Sequence, residues 1–81
     1  MKTYLFTGRS CWACKQLKPK FATFCADHGI TYNIVDCEEE EILAEKYNVR
    51  DIPTIIQDRG DDIVRITGYK NDMGSEFLRL L

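Results

Sequence analysis

Cys11 and Cys14 are separated only by Trp12 and Ala13, and the pair sits between two stretches of different periodicity. Ahead of it, Lys2 to Thr7 is a short apolar run containing Tyr4, Leu5 and Phe6, closed by Gly8, which suits a buried strand. Behind it, Cys14, Leu17, Phe21, Phe24 and Cys25 recur at helical spacing as far as His28 and Gly29, with Ser10 as the expected N-cap. A cysteine pair so placed lies where a strand turns into a helix. Cys11 then falls in the first helical turn, where unsatisfied N–H groups and the helix dipole favour an anion, here a thiolate. Three chemistries use this spacing: half of a zinc site, an iron–sulfur ligand pair, or a dithiol that cycles through a disulfide.

The remaining chain alternates in the same manner. Ile30 to Val35, with Ile30, Tyr32 and Ile34 in alternation, predicts a second strand that Asp36 ends. Glu38, Glu39, Glu40 and Glu41 suit the positive end of a second helix, whose apolar side is expected from Ile42, Leu43 and Tyr47 and whose stop is Asn48. The β-branched runs Thr54 to Gln57 and Ile63 to Thr67, parted by Asp58, Arg59, Gly60, Asp61 and Asp62, predict an antiparallel hairpin closed by Gly68. From Asn71 on, Met73, Phe77, Leu80 and Leu81 fall on one side of a last helix, capped by Asn71 or Asp72. The order β-α-β-α-β-β-α predicts an α/β fold: a four-stranded mixed sheet flanked by three helices.

A chain of 81 residues buries only about 60% of its unfolded surface, so one domain over residues 1–81 is expected. With 44% hydrophobic and 30% charged residues there is material for a core and no signature of disorder. The net charge is −2 and Lys and Arg are scattered, which speaks against nucleic acid as a partner. The opening MKTYLFTGRSC lacks the apolar run of a signal peptide, and no stretch approaches the ~20 apolar residues of a membrane span. A cytoplasmic protein is therefore expected, in a compartment where thiols stay reduced unless their task is redox or metal chemistry. The four cysteines form one tight pair, Cys11 and Cys14, and two singletons, Cys25 and Cys37, whereas a four-cysteine zinc ribbon needs a second tight pair. No metal site is expected.

At this point the residues carry a family likeness. The dithiol Cys11-Trp12-Ala13-Cys14 with Lys15 beside it, Pro19 within the helix, and Ile52-Pro53-Thr54 ahead of a hairpin ending in Gly68 resemble the thioredoxin family over nearly the whole chain. The resemblance implies a minimal thioredoxin fold, a cis peptide bond at Pro53 and a proline that faces the dithiol. It departs from the family in lacking an extra N-terminal strand and helix, and in length and β-first layout it resembles a glutaredoxin. Ser10-Cys11-Trp12-Ala13-Cys14 stands where thioredoxins usually carry Trp-Cys-Gly-Pro-Cys. Leu5 aligns with their buried acid, and Tyr32 with its lysine partner.

What the likeness implies is a thiol–disulfide oxidoreductase that reduces protein disulfides. Cys11 attacks, Cys14 resolves and Lys15 adds positive potential; Trp12, Ile52, Pro53, Thr54, Gly68 and Tyr69 are the expected substrate-binding residues. No cofactor is required, but an external reductant is: a thioredoxin reductase or glutathione. The chain is expected to act as a monomer. A glutathione-dependent glutaredoxin-type reductase is the first alternative. The glutathione-binding signatures Thr-Val-Pro and Gly-Gly-Asp are replaced by Asp51-Ile52-Pro53 and Gly68-Tyr69-Lys70-Asn71-Asp72, although a helix start at Asn71 and Asp72 suits a carboxylate. A module in which Cys11 ligates an iron–sulfur cluster bridging two chains is the second.

The singletons have plainer readings. Cys25, on the apolar side of the first helix, is expected to be a small core residue, and Cys37 to lie at a helix start that favours its thiolate and permits regulatory oxidation. Trp12 is expected at the surface as a contact for partner proteins. His28 reads as a helix-end residue and Glu38 to Glu41 as a solvated helix start.

Overall fold

Residues 1–81 are described by a computed structural model of the chain. Strand β1 (Lys2–Thr7) leads into helix α1 (Trp12–His28), strand β2 (Asn33–Asp36), helix α2 (Glu41–Lys46), strands β3 (Thr54–Asp58) and β4 (Ile63–Thr67), and helix α3 (Gly74–Phe77), which tightens into a 3₁₀ turn at Leu78–Leu80. The four strands form one sheet in the order β2-β1-β3-β4, β1 and β2 parallel and the other pairs antiparallel. A parallel pair needs a long crossover, which α1 supplies, while the β3–β4 hairpin needs only a short turn.

Each face of the sheet buries its own layer, because successive strand residues point to opposite sides. Leu5, Ile55, Val64 and Ile66 meet Leu17, Phe21 and Cys25 of α1 and Met73, Phe77 and Leu80 of the C-terminal helix. Tyr4, Phe6, Val35 and Ile56 meet Ala44 and Tyr47 on the opposite face. Gln57 is fully buried between the layers and the C-terminus, its Nε2 donating to the Leu80 carbonyl at 3.1 Å. Tyr47 donates its hydroxyl to Asp58 Oδ2 at 2.6 Å, tying the end of α2 to β3.

The second strand is where expectation and structure part. β2 begins at Asn33, not Ile30, and its inward residue is Val35, 2% exposed, while Ile34 is 50% exposed. Ile30 and Tyr32 pack against the α1 layer from the segment ahead of the strand, so their alternation with Ile34 belongs to two different settings. In α2 the apolar side comes from Ala44 and Tyr47 with Leu43 half-buried, whereas Ile42 is 86% exposed. That helix starts at Glu41, three residues later than the glutamate run begins, because Asp36 Oδ1 accepts from the N–H groups of Glu38 and Glu39 and holds them in a turn. Asn48 stops the segment at φ 52°. At the C-terminus Leu81 is 60% exposed, outside the layer that Met73, Phe77 and Leu80 form. Asn71 caps nothing there; Asp72 Oδ1 accepts from Gly74 N–H at 3.0 Å.

Candidate active site

The site is assembled by sheet register. β1 and β3 run antiparallel with Phe6 opposite Thr54, so the loop leaving β1 and the residues entering β3 meet at one end of the sheet. β3 pairs with β4 so that Thr54 lies opposite Thr67, which adds Gly68 and Tyr69 to the same end. Thus Cys11, Trp12, Cys14, Lys15, Ile52, Pro53, Thr54, Gly68 and Tyr69 all gather at this end.

Cys11 and Cys14 form a disulfide across the start of α1, with Cα atoms 5.2 Å apart. Their surroundings differ. Cys14 is 1% exposed and belongs to the core, while Cys11 is only partly buried and faces outward. Cys11 is itself the N-cap of α1, its Sγ accepting from Cys14 N–H at 3.2 Å. This corrects the expected cap at Ser10, which sits at φ 54°, a left-handed conformation in which it ends the preceding turn. The correction moves the sulfur from the first helical turn to the cap itself, where N–H groups still point at it. Lys15 follows on the exposed side of α1 with no carboxylate paired to it.

Opposite the dithiol loop, the Ile52–Pro53 peptide bond is cis and Pro53 is buried. Thr54 Oγ1 donates to the Asp51 carbonyl at 2.6 Å, and Gly68 N–H, from a residue at φ 87°, donates to the Pro53 carbonyl at 2.8 Å. Both bonds brace the backbone that precedes β3. Gly8 holds the two loops close: a Cβ there would lie 2.5 Å from Ile52 Cδ1. Its lack of a side chain, read from the sequence only as the end of a strand, is what lets Ile52 seat against the dithiol loop.

Trp12 is 68% exposed and meets Tyr69 edge-on, ring centroids 6.2 Å apart. Lys20 Nζ lies over the same Tyr69 ring, 5.6 Å from its centroid. Sequence reasoning passed over Lys20, although Trp12, Gln16 and Lys20 follow at i, i+4 and i+8, a spacing that places them on one helix face.

No carboxylate or basic side chain lies in the core near the dithiol. Leu5 is fully buried, and the buried polar side chains are Thr3, Thr7, Thr54 and Gln57. Tyr32 packs edge-on against Phe21, ring centroids 4.9 Å apart. No group of three or more His, Cys, Asp or Glu residues is placed to share a metal ion, so an iron–sulfur cluster would draw its remaining ligands from outside the chain.

The other two cysteines are not part of the site. Cys25 lies in the α1 layer, and burial pushes its thiol up to about 11. Cys37, half-buried beyond β2, is pushed up by burial and then by the Asp36 carboxylate beside it, which corrects the expectation of a favoured thiolate. In the oxidised protein, alkylation at neutral pH is expected to reach Cys37 slowly and Cys25 only on unfolding, as mass-resolved labelling would show. Because the folded Cys25 thiol titrates above the unfolded value of ~8.5, its contribution to stability is full below that pH. It is lost as pH rises toward about 11, which a denaturant series between these limits would follow.

The comparisons with known proteins agree with this arrangement. The family model described as Thioredoxin matches residues 4–78. Thioredoxin-1 of Caenorhabditis elegans is 36% identical over 69 residues, 83% of this chain and 60% of the relative, so the chain spans about 60% of the length of that relative. Among solved structures, thioredoxin 1 of the thermophilic eubacterium Thermosipho africanus superposes with a TM-score of 0.80 at 25% identity, covering 98% of this chain and 88% of the other. The Fasciola hepatica thioredoxin superposes with a TM-score of 0.81 at 22% identity, covering 96% of this chain and 77% of its own, a likeness of fold.

Proposed function

Since the chain belongs to the thioredoxin family, we propose that it is a thiol–disulfide oxidoreductase that reduces disulfides in other proteins. The observation that carries the reading is the unequal burial of a bonded pair: Cys11 at the surface on a helix cap, Cys14 sealed beneath it. In the reduced protein the Cys11 thiolate attacks one sulfur of the substrate disulfide. That S–S bond breaks, a mixed disulfide forms, and the departing substrate sulfur takes up a proton. Cys14, deprotonated, then attacks the Cys11 sulfur. The Cys11–Cys14 bond forms, the second substrate thiol leaves, and two electrons have passed to the substrate.

The other residues act by position. Helix N–H groups and the unpaired Lys15 stabilise the Cys11 thiolate. The braced backbone at Ile52, Pro53 and Thr54, with Gly68 and Tyr69 beside it, offers the substrate chain an extended partner, and Trp12 gives it an aromatic contact. The chemistry needs no metal or organic cofactor, but the oxidised pair must be reduced again by an outside donor. A thioredoxin reductase is the donor this reading favours. Glutathione is the second reading, and one observation weighs against it: Asp72 already accepts from the Gly74 amide, putting a negative charge where a glutathione carboxylate would dock. No helix is long and apolar enough to cross a membrane, and a reducing compartment such as the cytoplasm suits the reaction.

The test is stoichiometric. Pre-reduced protein mixed with a disulfide-containing protein is expected to gain the Cys11–Cys14 bond once for every substrate disulfide lost, read by mass after acid quench. A substrate that stays oxidised in molar excess of reduced protein would overturn the reading.

A further inference from the structure

The net charge of −2 conceals two opposed regions. Asp36, Glu38, Glu39, Glu40, Glu41 and Glu45 crowd residues 36–45, which hold no Lys or Arg; residues 9–20 hold Arg9, Lys15, Lys18 and Lys20 and no carboxylate. Arg9 is ion-paired to Glu39 at 2.9 Å, but the three lysines make no ion pair. Lys70 pairs with Glu76 at 3.5 Å.

Helical periodicity spreads the unpaired lysines around the dithiol end of α1. Lys15 and Lys18 lie on one flank, and Lys20 lies on the other with Trp12. Tyr69 closes against that second flank, edge-on to Trp12 and beneath the Lys20 ammonium. The carboxylates at this end are Asp51, ahead of Ile52, and Asp72, which is held by Gly74, together with the acidic segment after β2, where Asp36 lies opposite Thr7 and Glu39 pairs with Arg9. That segment leaves the β2 edge of the sheet, whereas Tyr69 follows β4 on the other edge. On the β4 side of this end, the aromatic pair beside Cys11 is thus rimmed by cations that make no ion pair. Such a surface raises the local concentration of negative groups.

We propose that the dithiol end is a docking surface for protein disulfides flanked by Asp or Glu. Lys15, Lys18 and Lys20 draw the flanking carboxylates, and Trp12 with Tyr69 takes the apolar part of the same segment. The inference rests on the disulfide-reductase reading and names its substrate class. It also runs against intrinsic chemistry: an attacking thiolate is itself negative, so without docking cations an acidic flank slows the exchange.

Three peptides with the same disulfide ring, flanked by Glu, Gln or Lys, separate these effects when each is reduced by pre-reduced protein in a single turnover. The Glu-flanked peptide is expected to react fastest and the Lys-flanked one slowest, with a spread of about tenfold at low ionic strength that narrows as salt is added. The double variant Lys18→Gln/Lys20→Gln should shrink the spread, while Lys18→Arg/Lys20→Arg should keep it. Equal rates, or the reverse order, would overturn the docking proposal and leave the reductase reading standing. A spread indifferent to the lysine variants would overturn the assignment to α1. Failure to reduce any of the peptides would overturn the reading on which the proposal rests, and the proposal with it.

Discussion

Cys14→Ser is expected to turn the protein into a trap, while Cys11→Ser removes exchange altogether. In the first variant the partly exposed Cys11 still attacks a substrate disulfide, but no second sulfur remains to release it, so a stable mixed disulfide accumulates. In the second the sole remaining sulfur of the pair is 1% exposed and sealed in the core, and a serine hydroxyl at the cap does not ionise to replace the thiolate. Loss of the attacking group is worth at least about 10³-fold in rate. Non-reducing electrophoresis of each variant after incubation with a disulfide substrate reads both results, the trapped band vanishing when a thiol reductant is added. Equal capture by the two variants would contradict the roles assigned from burial. Both serines keep a small polar side chain in place, and at position 11 the hydroxyl can still accept from Cys14 N–H, so the helix start survives the change.

The outline of this fold was legible because the decisive signals are local. An apolar run ended by Gly8, an amphipathic stretch ended by Gly29 and two β-branched runs each state their own element, and the structure forms them close to the expected bounds. β2 was misread because it is an edge strand four residues long. With so few residues, Ile34 outweighed Val35 in the pattern, although sheet register puts Val35 beside Phe6 and Ile34 beside Leu5 at a margin left half open. The glutamate run misled in a similar way. Four acidic residues suit a helix start by charge, but Asp36 captures the first two amides in a turn.

At the site, the residues were legible and their arrangement was not. Cys11, Trp12 and Cys14 lie close together in sequence and Lys20 shares their helix, while Ile52 and Tyr69 join them only through the pairing of β1 with β3 and of β3 with β4. The closeness of Gly8 to Ile52 is a tertiary fact of the same kind. Which cysteine is buried was legible, because Cys14 shares the apolar helical spacing of Leu17, Phe21 and Cys25 and the structure buries all four.

The reduction potential is expected to be less negative than that of ordinary thioredoxin, nearer the glutaredoxin range. A dithiol becomes more oxidising when its reduced form is stabilised, and here the stabilising influences outnumber the opposing ones. Cys11 caps α1, so its thiolate faces helix N–H groups. Lys15, Lys18 and Lys20, none of them ion-paired, add positive potential. The core beside the dithiol holds Leu5 in the place of an acid and no carboxylate, so no buried like charge opposes the thiolate. Between about −270 mV for thioredoxin and about −200 to −230 mV for glutaredoxins the difference is roughly 40 to 70 mV, equivalent to about 2–3 kcal/mol for this two-electron couple. Equilibration in glutathione redox buffers, with free thiols counted by mass, would measure it. Lys15→Gln is expected to shift the value toward the more negative side, and Leu5→Met, which keeps the core apolar, to leave it unchanged. A potential at or below that of thioredoxin would show that the cap and the lysines do not set the poise of this pair.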